Sequence, residues 1–150
     1  MTRRTTSPII IYLTVLGLGS GGCDAERSSN PLSPQIAGPL AGVTITTPAT
    51  VEPTNGKLIA VTDQPITLSF ASVTSDSVRP FTYEVDIATE SVFAQMLLTI
   101  SGVEPSAMNT LSVNLPETLD ADQVYFWRVR AVDGANSSPY SDTVSFEVFS

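Results

Sequence analysis

Along residues 124–133, VYFWRVRAVD, apolar and polar positions alternate. With the two-residue period of an extended chain, Tyr125, Trp127, Val129 and Ala131 share one face, and Phe126, Arg128, Arg130 and Val132 share the other. The first face predicts a core and the second meets solvent. The same period predicts a strand over 81–88, FTYEVDIA, with Phe81, Tyr83, Val85 and Ile87 inward and Thr82, Glu84, Asp86 and Ala88 outward. Further strands are predicted over 65–73 (Ile66, Leu68, Phe70 inward), 109–115 (Leu111, Val113, Leu115) and 142–149 (Val144, Phe146, Val148), with 96–101 as an extended apolar segment. Pro53-Thr54-Asn55-Gly56 is a turn with Asn-Gly at its tip. Short strands separated by turn signals, with no sustained helical period, predict an all-β, two-sheet antiparallel sandwich over 48–150.

The 150-residue length allows one such domain plus processing and linker segments. A positive mean hydropathy, with only 15% charged residues, owes much to the first two dozen residues. Arg3 and Arg4 precede the apolar run 8–18, and small residues 19–22 lead to Cys23, the three-part form of an export signal over 1–22. An apolar run of about 11 residues is too short to span the hydrocarbon layer as a stable helix. Cys23 is the sole cysteine, so it has no internal disulfide partner.

Residues 23–47 read as a flexible tether, because Ser, Pro, Gly and Asn interrupt every apolar run; only 42–46 has the makings of a short edge strand. Counted from Cys23, the chain keeps five basic residues against all fifteen acidic ones, hence a net charge of −10. Such a surface repels nucleic acid and anionic lipid head groups.

The small residues ahead of Cys23 resemble a bacterial lipoprotein box, although Ser20 stands where that pattern prefers Leu. The resemblance implies a lipidated Cys23 as mature N-terminus, carrying more than one acyl chain such as palmitate, and so a stable anchor to a bacterial membrane. Asp24 resembles a sorting signal for the inner membrane; the membrane itself stays open. Leu119, six residues before Tyr125, together with the strand end Arg130-Ala131-Val132-Asp133, resembles the F strand of a fibronectin type III domain. In that likeness 65–73 is the B strand, with Phe70 where the family usually has Trp, and 81–88, 109–115 and 142–149 are C, E and G. The likeness also implies a short helical turn over 89–94 and a Tyr125 hydroxyl bonded to backbone at the E–F corner.

If C, F and G adjoin, Arg128 and Arg130 lie on the outward face with Glu84 and Asp86 on one side and Glu147 on the other, a charge ladder of the kind that stabilises sheets. The same residues with Phe126 form the candidate interaction face: Phe126, Arg128, Arg130, Glu84 and Asp86. An anion-binding arginine pair is the competing reading. Asp120 with Asp122, and Asp133 with Asn136, are turn residues and too few for a calcium cage, so no metal or other cofactor is expected. Asn136-Ser137-Ser138 matches a glycosylation acceptor but reads as loop.

The chain has no histidine, and its one cysteine is committed near the N-terminus. The commonest general base, zinc ligand and thiol nucleophile are therefore missing from the domain, which argues against an enzyme. The expectation is a noncatalytic lipoprotein of the bacterial cell envelope that presents one module to a protein or glycan partner. A structural spacer or assembly subunit is the alternative, and a secreted binding domain follows if Cys23 is not lipidated. A contiguous exposed apolar patch around Phe126 favours binding, and scattered residues favour the spacer.

Overall fold

A computed structural model describes residues 38–150, so Cys23, the export signal over 1–22 and the first part of the tether lie outside the described residues. Eight strands follow in chain order: β1 (Ala49–Glu52), β2 (Lys57–Ala60), β3 (Thr67–Ala71), β4 (Thr82–Ala88), β5 (Met96–Val103), β6 (Thr110–Asn114), β7 (Gln123–Val132) and β8 (Val144–Phe149). They form a three-stranded sheet, β1-β3-β6, and a five-stranded sheet, β2-β8-β7-β4-β5. The only helical element among the described residues is a single 3-10 turn, Val61–Asp63.

The alternation dictates which faces meet. Leu68, Phe70 and Leu111 from the smaller sheet pack against Tyr83, Val85, Ile87, Trp127, Val129 and Phe146 from the larger one, in a single buried cluster. This is the arrangement of a β-sandwich. Burying each such side chain contributes about 1.5–3 kcal/mol, so the two inner faces provide the main cohesion. Phe70 and Tyr83 touch across the sheets with ring centroids 4.9 Å apart, and the Tyr83 hydroxyl accepts a hydrogen bond from the Val73 amide at 2.9 Å. Burial outweighs that bond and raises the Tyr83 pKa.

Three expectations need correction. The sheets are not wholly antiparallel, because β2 runs parallel to β8, Leu58 opposite Glu147 and Ala60 opposite Phe149. Parallel neighbours need a long connection, and here the rest of the domain supplies it between the second strand and the last. Residues 53–56 carry the chain from β1 in one sheet to β2 in the other, with Gly56 at φ 77° and its amide bonded to the Ser145 carbonyl at 2.8 Å.

The tether ends earlier than 47. Ile45 is buried in the core cluster and bridges to Ser75, Thr46 donates its amide to the Thr74 carbonyl at 3.0 Å, and Asp76 Oδ1 accepts the Thr44 amide at 2.7 Å. Further out, the Asn136 side-chain amide clamps Leu40 by both its N–H and its carbonyl, each at 2.9 Å. Residues 38–47 thus belong to the folded unit through partners far away in sequence, and only 42–46 carried a local sign of it.

The third correction concerns 89–94. It is a turn and bend without helix. Glu90 O accepts the Phe93 amide at 3.3 Å, and Phe93 adopts a left-handed φ of 53°. That conformation is uncommon for a bulky residue. It sends the Phe93 ring back over the outer face of the larger sheet, where it is buried.

Candidate interaction face

The outward residues of β7 and β4 meet in register: Arg130 lies opposite Glu84, Arg128 opposite Asp86, and Phe126 opposite Ala88. Both arginines form the expected cross-strand pairs. Arg130 Nε donates to Glu84 Oε1 at 2.8 Å, and its Nη2 reaches the same oxygen. Arg128 donates from Nε at 3.3 Å and Nη2 at 3.2 Å to Asp86 Oδ2. Glu147 does not take part: it stands opposite Val124, while Arg128 lies beyond the β7–β8 register.

The charge ladder is not an open solvated face. Asp86 is only 2% exposed and Ala88 is buried, although both point away from the core. Two aromatic rings account for the cover. The Arg128 guanidinium carbon lies 4.1 Å from the Phe93 ring centroid and 3.7 Å from that of Tyr140, and Arg130 lies 4.7 Å from the Tyr140 ring. Ring faces carry negative charge density, so each stacked guanidinium gains about 0.5–2 kcal/mol, the more so when desolvated. The remaining Asp86 oxygen, Oδ1, accepts the Thr99 hydroxyl of β5 at 3.0 Å. Phe93, Arg128, Tyr140 and Arg130 form one interleaved stack, closed from beneath by two carboxylates.

Tyr140 is held by the segment on either side of it. Ser138 and Ser141 each bond twice to the β7 backbone. Their amides donate to the carbonyls of Ala131 at 2.9 Å and Val129 at 2.8 Å, and their hydroxyl oxygens accept the amides of the same two residues, each at 3.0 Å. Two buried serines thereby replace a strand's ladder and pin 138–141 beside β7, which delivers the Tyr140 ring onto the arginines. Burial, then the neighbouring Asp86 carboxylate, raise the Tyr140 pKa against the opposing pull of Arg130 and Arg128. Its hydroxyl also lies 3.5 Å from Glu84 Oε1.

Toward the other end of the same face the side chains turn apolar. Val124 flanks Glu147, with Leu58 on the far side of it, and Phe126 follows Val124 two residues on. Met96 lies opposite Ala88 next to Phe126, and Phe149 extends the row from β8. Leu58 is 62% exposed, Met96 44% and Phe149 39%, whereas Phe126 is half-buried. These positions share one sheet face and make a band that is interrupted by Glu147 on β8 and by buried Ala88 on β4. The band lies beside the stack, so the five candidate residues divide: Arg128, Arg130, Glu84 and Asp86 are bonded to one another, and Phe126 belongs to the apolar part.

The turns are occupied by structural bonds. Tyr125 donates its hydroxyl to the Asp120 carbonyl at 3.1 Å. Burial and the Asp120 charge raise its pKa over the opposing effect of that bond. The Gln64 side chain grips Leu119, accepting its amide at 2.6 Å and donating to its carbonyl at 2.8 Å. Asp133 accepts the amides of Asn136 at 2.6 Å and Ala135 at 3.1 Å, and the Ser77 hydroxyl at 2.8 Å. Burial alone would raise the Asp133 pKa, but these donors and the nearby Arg79 charge together hold it below the ordinary value.

Among the described residues no three His, Cys, Asp or Glu side chains gather to hold a metal ion. An open groove of about 370 Å³ lies between β2 and β3, lined by Glu52, Lys57, Asp63 and Thr67 among others. The Lys57–Glu52 ion pair crosses it at 3.0 Å.

Phe93, Tyr140, Thr99, Ser138 and Ser141 were not legible as parts of this face. Ser138-Pro139-Tyr140-Ser141 offered a signal only in the repeat of serines either side of an aromatic residue, and the Phe93 turn offered none.

No protein-family model matches the chain, and no curated protein is similar to it in sequence. Among solved structures it is similar to one described as a myokine structure, 20% identical with a TM-score of 0.40 over 68% of this chain and 97% of the other. It is also similar to the superoxide reductase (neelaredoxin) of Ignicoccus hospitalis, 14% identical with a TM-score of 0.38 over 69% of this chain and 81% of that one. Likenesses at these scores carry no argument about what the chain does.

Proposed function

We propose that this chain is a noncatalytic lipoprotein of the bacterial cell envelope, anchored through lipidated Cys23, whose folded unit is a fibronectin type III-like module that docks a protein or glycan. The division of strands into β1-β3-β6 and β2-β8-β7-β4-β5 and the Tyr125 bond at the turn before β7 support the fibronectin-like reading. The basic start, the short apolar run, the small residues and the sole cysteine support the anchor.

The single observation that carries the docking function is the apolar band of Leu58, Val124, Phe126, Met96 and Phe149. Four of these positions, Leu58, Val124, Met96 and Phe149, are exposed on one sheet face, with Glu147 between Leu58 and Val124; in a chain of net charge −8 such a group supports a contact surface over the spacer reading. The stack of Arg128, Tyr140 and Phe93 beside it serves as a rigid support, because its charges are already paired and offer little to an anion.

The test is a comparison of wild-type and Leu58→Asp/Val124→Asp chains for retention on purified envelope proteins and on cell-wall glycan. Loss of retention, with the melting temperature unchanged, is expected. Equal retention by both chains, or none by the wild type on either material, contradicts the docking reading. Among the described residues no helix is long and apolar enough to cross a membrane.

A further inference from the structure

The five-stranded sheet ends on β5, and this edge is unlike the others. β5 has eight residues, MLLTISGV, none of them charged, whereas edge strands β1 and β2 are four residues long and carry Glu52 and Lys57. The remaining edge, β6, is five residues long. Long edges without Lys or Pro expose unpaired backbone N–H and C=O groups to another strand. In a chain with 15 acidic residues against 7 basic ones, an uncharged edge is also the place where two copies can approach without placing like charges opposite each other.

The register of β5 makes a second copy the best-fitting partner. Against β4, Leu98 lies opposite Ile87, Thr99 opposite Asp86 and Ile100 opposite Val85, while irregularities flank this run on both sides. The regular part of the edge is therefore centred on Thr99. We propose that β5 pairs antiparallel with β5 of a second copy about a twofold axis through Thr99, joining the two five-stranded sheets edge to edge. In that register Thr99 faces Thr99 of the partner on the outer face, a favourable cross-strand pair. Leu98 faces the partner's Ile100 on the inner face, and Ile100 faces the partner's Leu98. Both side chains are half-buried against the core, and pairing completes their cover.

Exposed Leu97 lies toward the end of the joined strands, opposite Ser101 of the second copy, and closes over the new ladder. An isologous contact of this kind is self-complementary and stops at two copies. It does not depend on lipidation of Cys23 or on the docking function.

Sedimentation of the full-length chain in nonionic detergent over a wide concentration range tests the pairing, with amide exchange along 97–101 read in the same samples. The expected result is a concentration-dependent dimer, slower exchange of β5 amides in the dimer, and self-association weakened about tenfold or more by Leu97→Lys at unchanged melting temperature. A chain that stays monomeric throughout overturns the proposal, as does a dimer whose β5 amides exchange as fast as in the monomer. Equal dimerisation of a folded Leu97→Lys chain also overturns it. If that variant fails to fold, the exchange of the wild-type β5 amides with concentration decides alone.

Discussion

The guanidinium of Arg128 lies 3.7 Å from the ring centroid of Tyr140 while its nitrogens hold a carboxylate, Asp86, that is 2% exposed. A cross-strand ion pair that looked like an ordinary surface ladder is therefore half interior. Removing Arg128 leaves a buried charge without its counter-ion, and Arg128→Ala is expected to cost about 2–4 kcal/mol, well above the 1 kcal/mol or less typical of exposed pairs. Denaturant titration checks this. Arg130→Ala, whose partner Glu84 is more exposed, is expected to cost about 1 kcal/mol, and equal losses from both variants contradict the distinction.

Arg128→Lys separates stacking from charge. Lysine keeps the positive charge but not the planar fork that lies between two rings. A loss of about 1 kcal/mol or more is expected, and Tyr140→Ala is expected to cost less in the Arg128→Lys background than in the wild type, as a double-mutant cycle reads it; equal costs in both backgrounds contradict the stacking role.

Trp127 fills the centre of the core with no exposed surface, and its indole Nε1 is buried without a hydrogen-bond partner among the described residues. Trp127→Ala is expected to cost about 3–5 kcal/mol through the cavity it leaves. Trp127→Phe also shrinks the side chain but removes the unpaired N–H, whose burial costs about 1–3 kcal/mol, so its loss is expected to be far smaller. Similar melting temperatures for the two variants contradict this.

How far the face was legible follows from where its information lies. Alternation along 124–133 and 81–88 placed Arg128, Arg130, Glu84 and Asp86 on one side, because a two-residue period fixes facing without any knowledge of partners. The pairings Arg128–Asp86 and Arg130–Glu84 needed only the expectation that the two strands adjoin. What covers them was not legible. Phe93 arrives through a turn with a left-handed residue, and Tyr140 through two serines bonded to backbone seven and twelve residues away. Such contacts join segments whose own patterns are polar and irregular. Of the fold's first ten described residues only 42–46 carried a signal, that of a short edge strand; the rest gave none, since Leu40 is held by Asn136 and not by a period of its own.

Ser138 and Ser141 satisfy buried amides of β7, so Ser138→Ala and Ser141→Ala each leave a buried N–H unpaired. Each is expected to cost about 1–3 kcal/mol and to speed amide exchange at Ala131 and Val129 respectively. Unchanged exchange at those two amides contradicts the role given to the serines.

The lowered pKa of Asp133 makes a signed statement about pH. A carboxyl group whose folded pKa lies below its unfolded one contributes stability in full above about pH 4, and loses it as pH falls through the folded value. Asp133→Asn is expected to be less stable at neutral pH and to lose less on acidification, which thermal melts between pH 7 and pH 2 compare. A variant whose stability falls in parallel with the wild type's over that range contradicts the assignment.

Envelope anchoring is the claim on which the rest of the functional account depends, and the intact mass of the protein from the membrane fraction tests it most directly, beside a Cys23→Ser chain. The expected result is a chain that begins at Cys23, carries the added mass of more than one acyl chain, and leaves the membrane fraction when Cys23 is replaced. A mature N-terminus at another residue, or an unmodified mass with the protein in the soluble fraction, contradicts it.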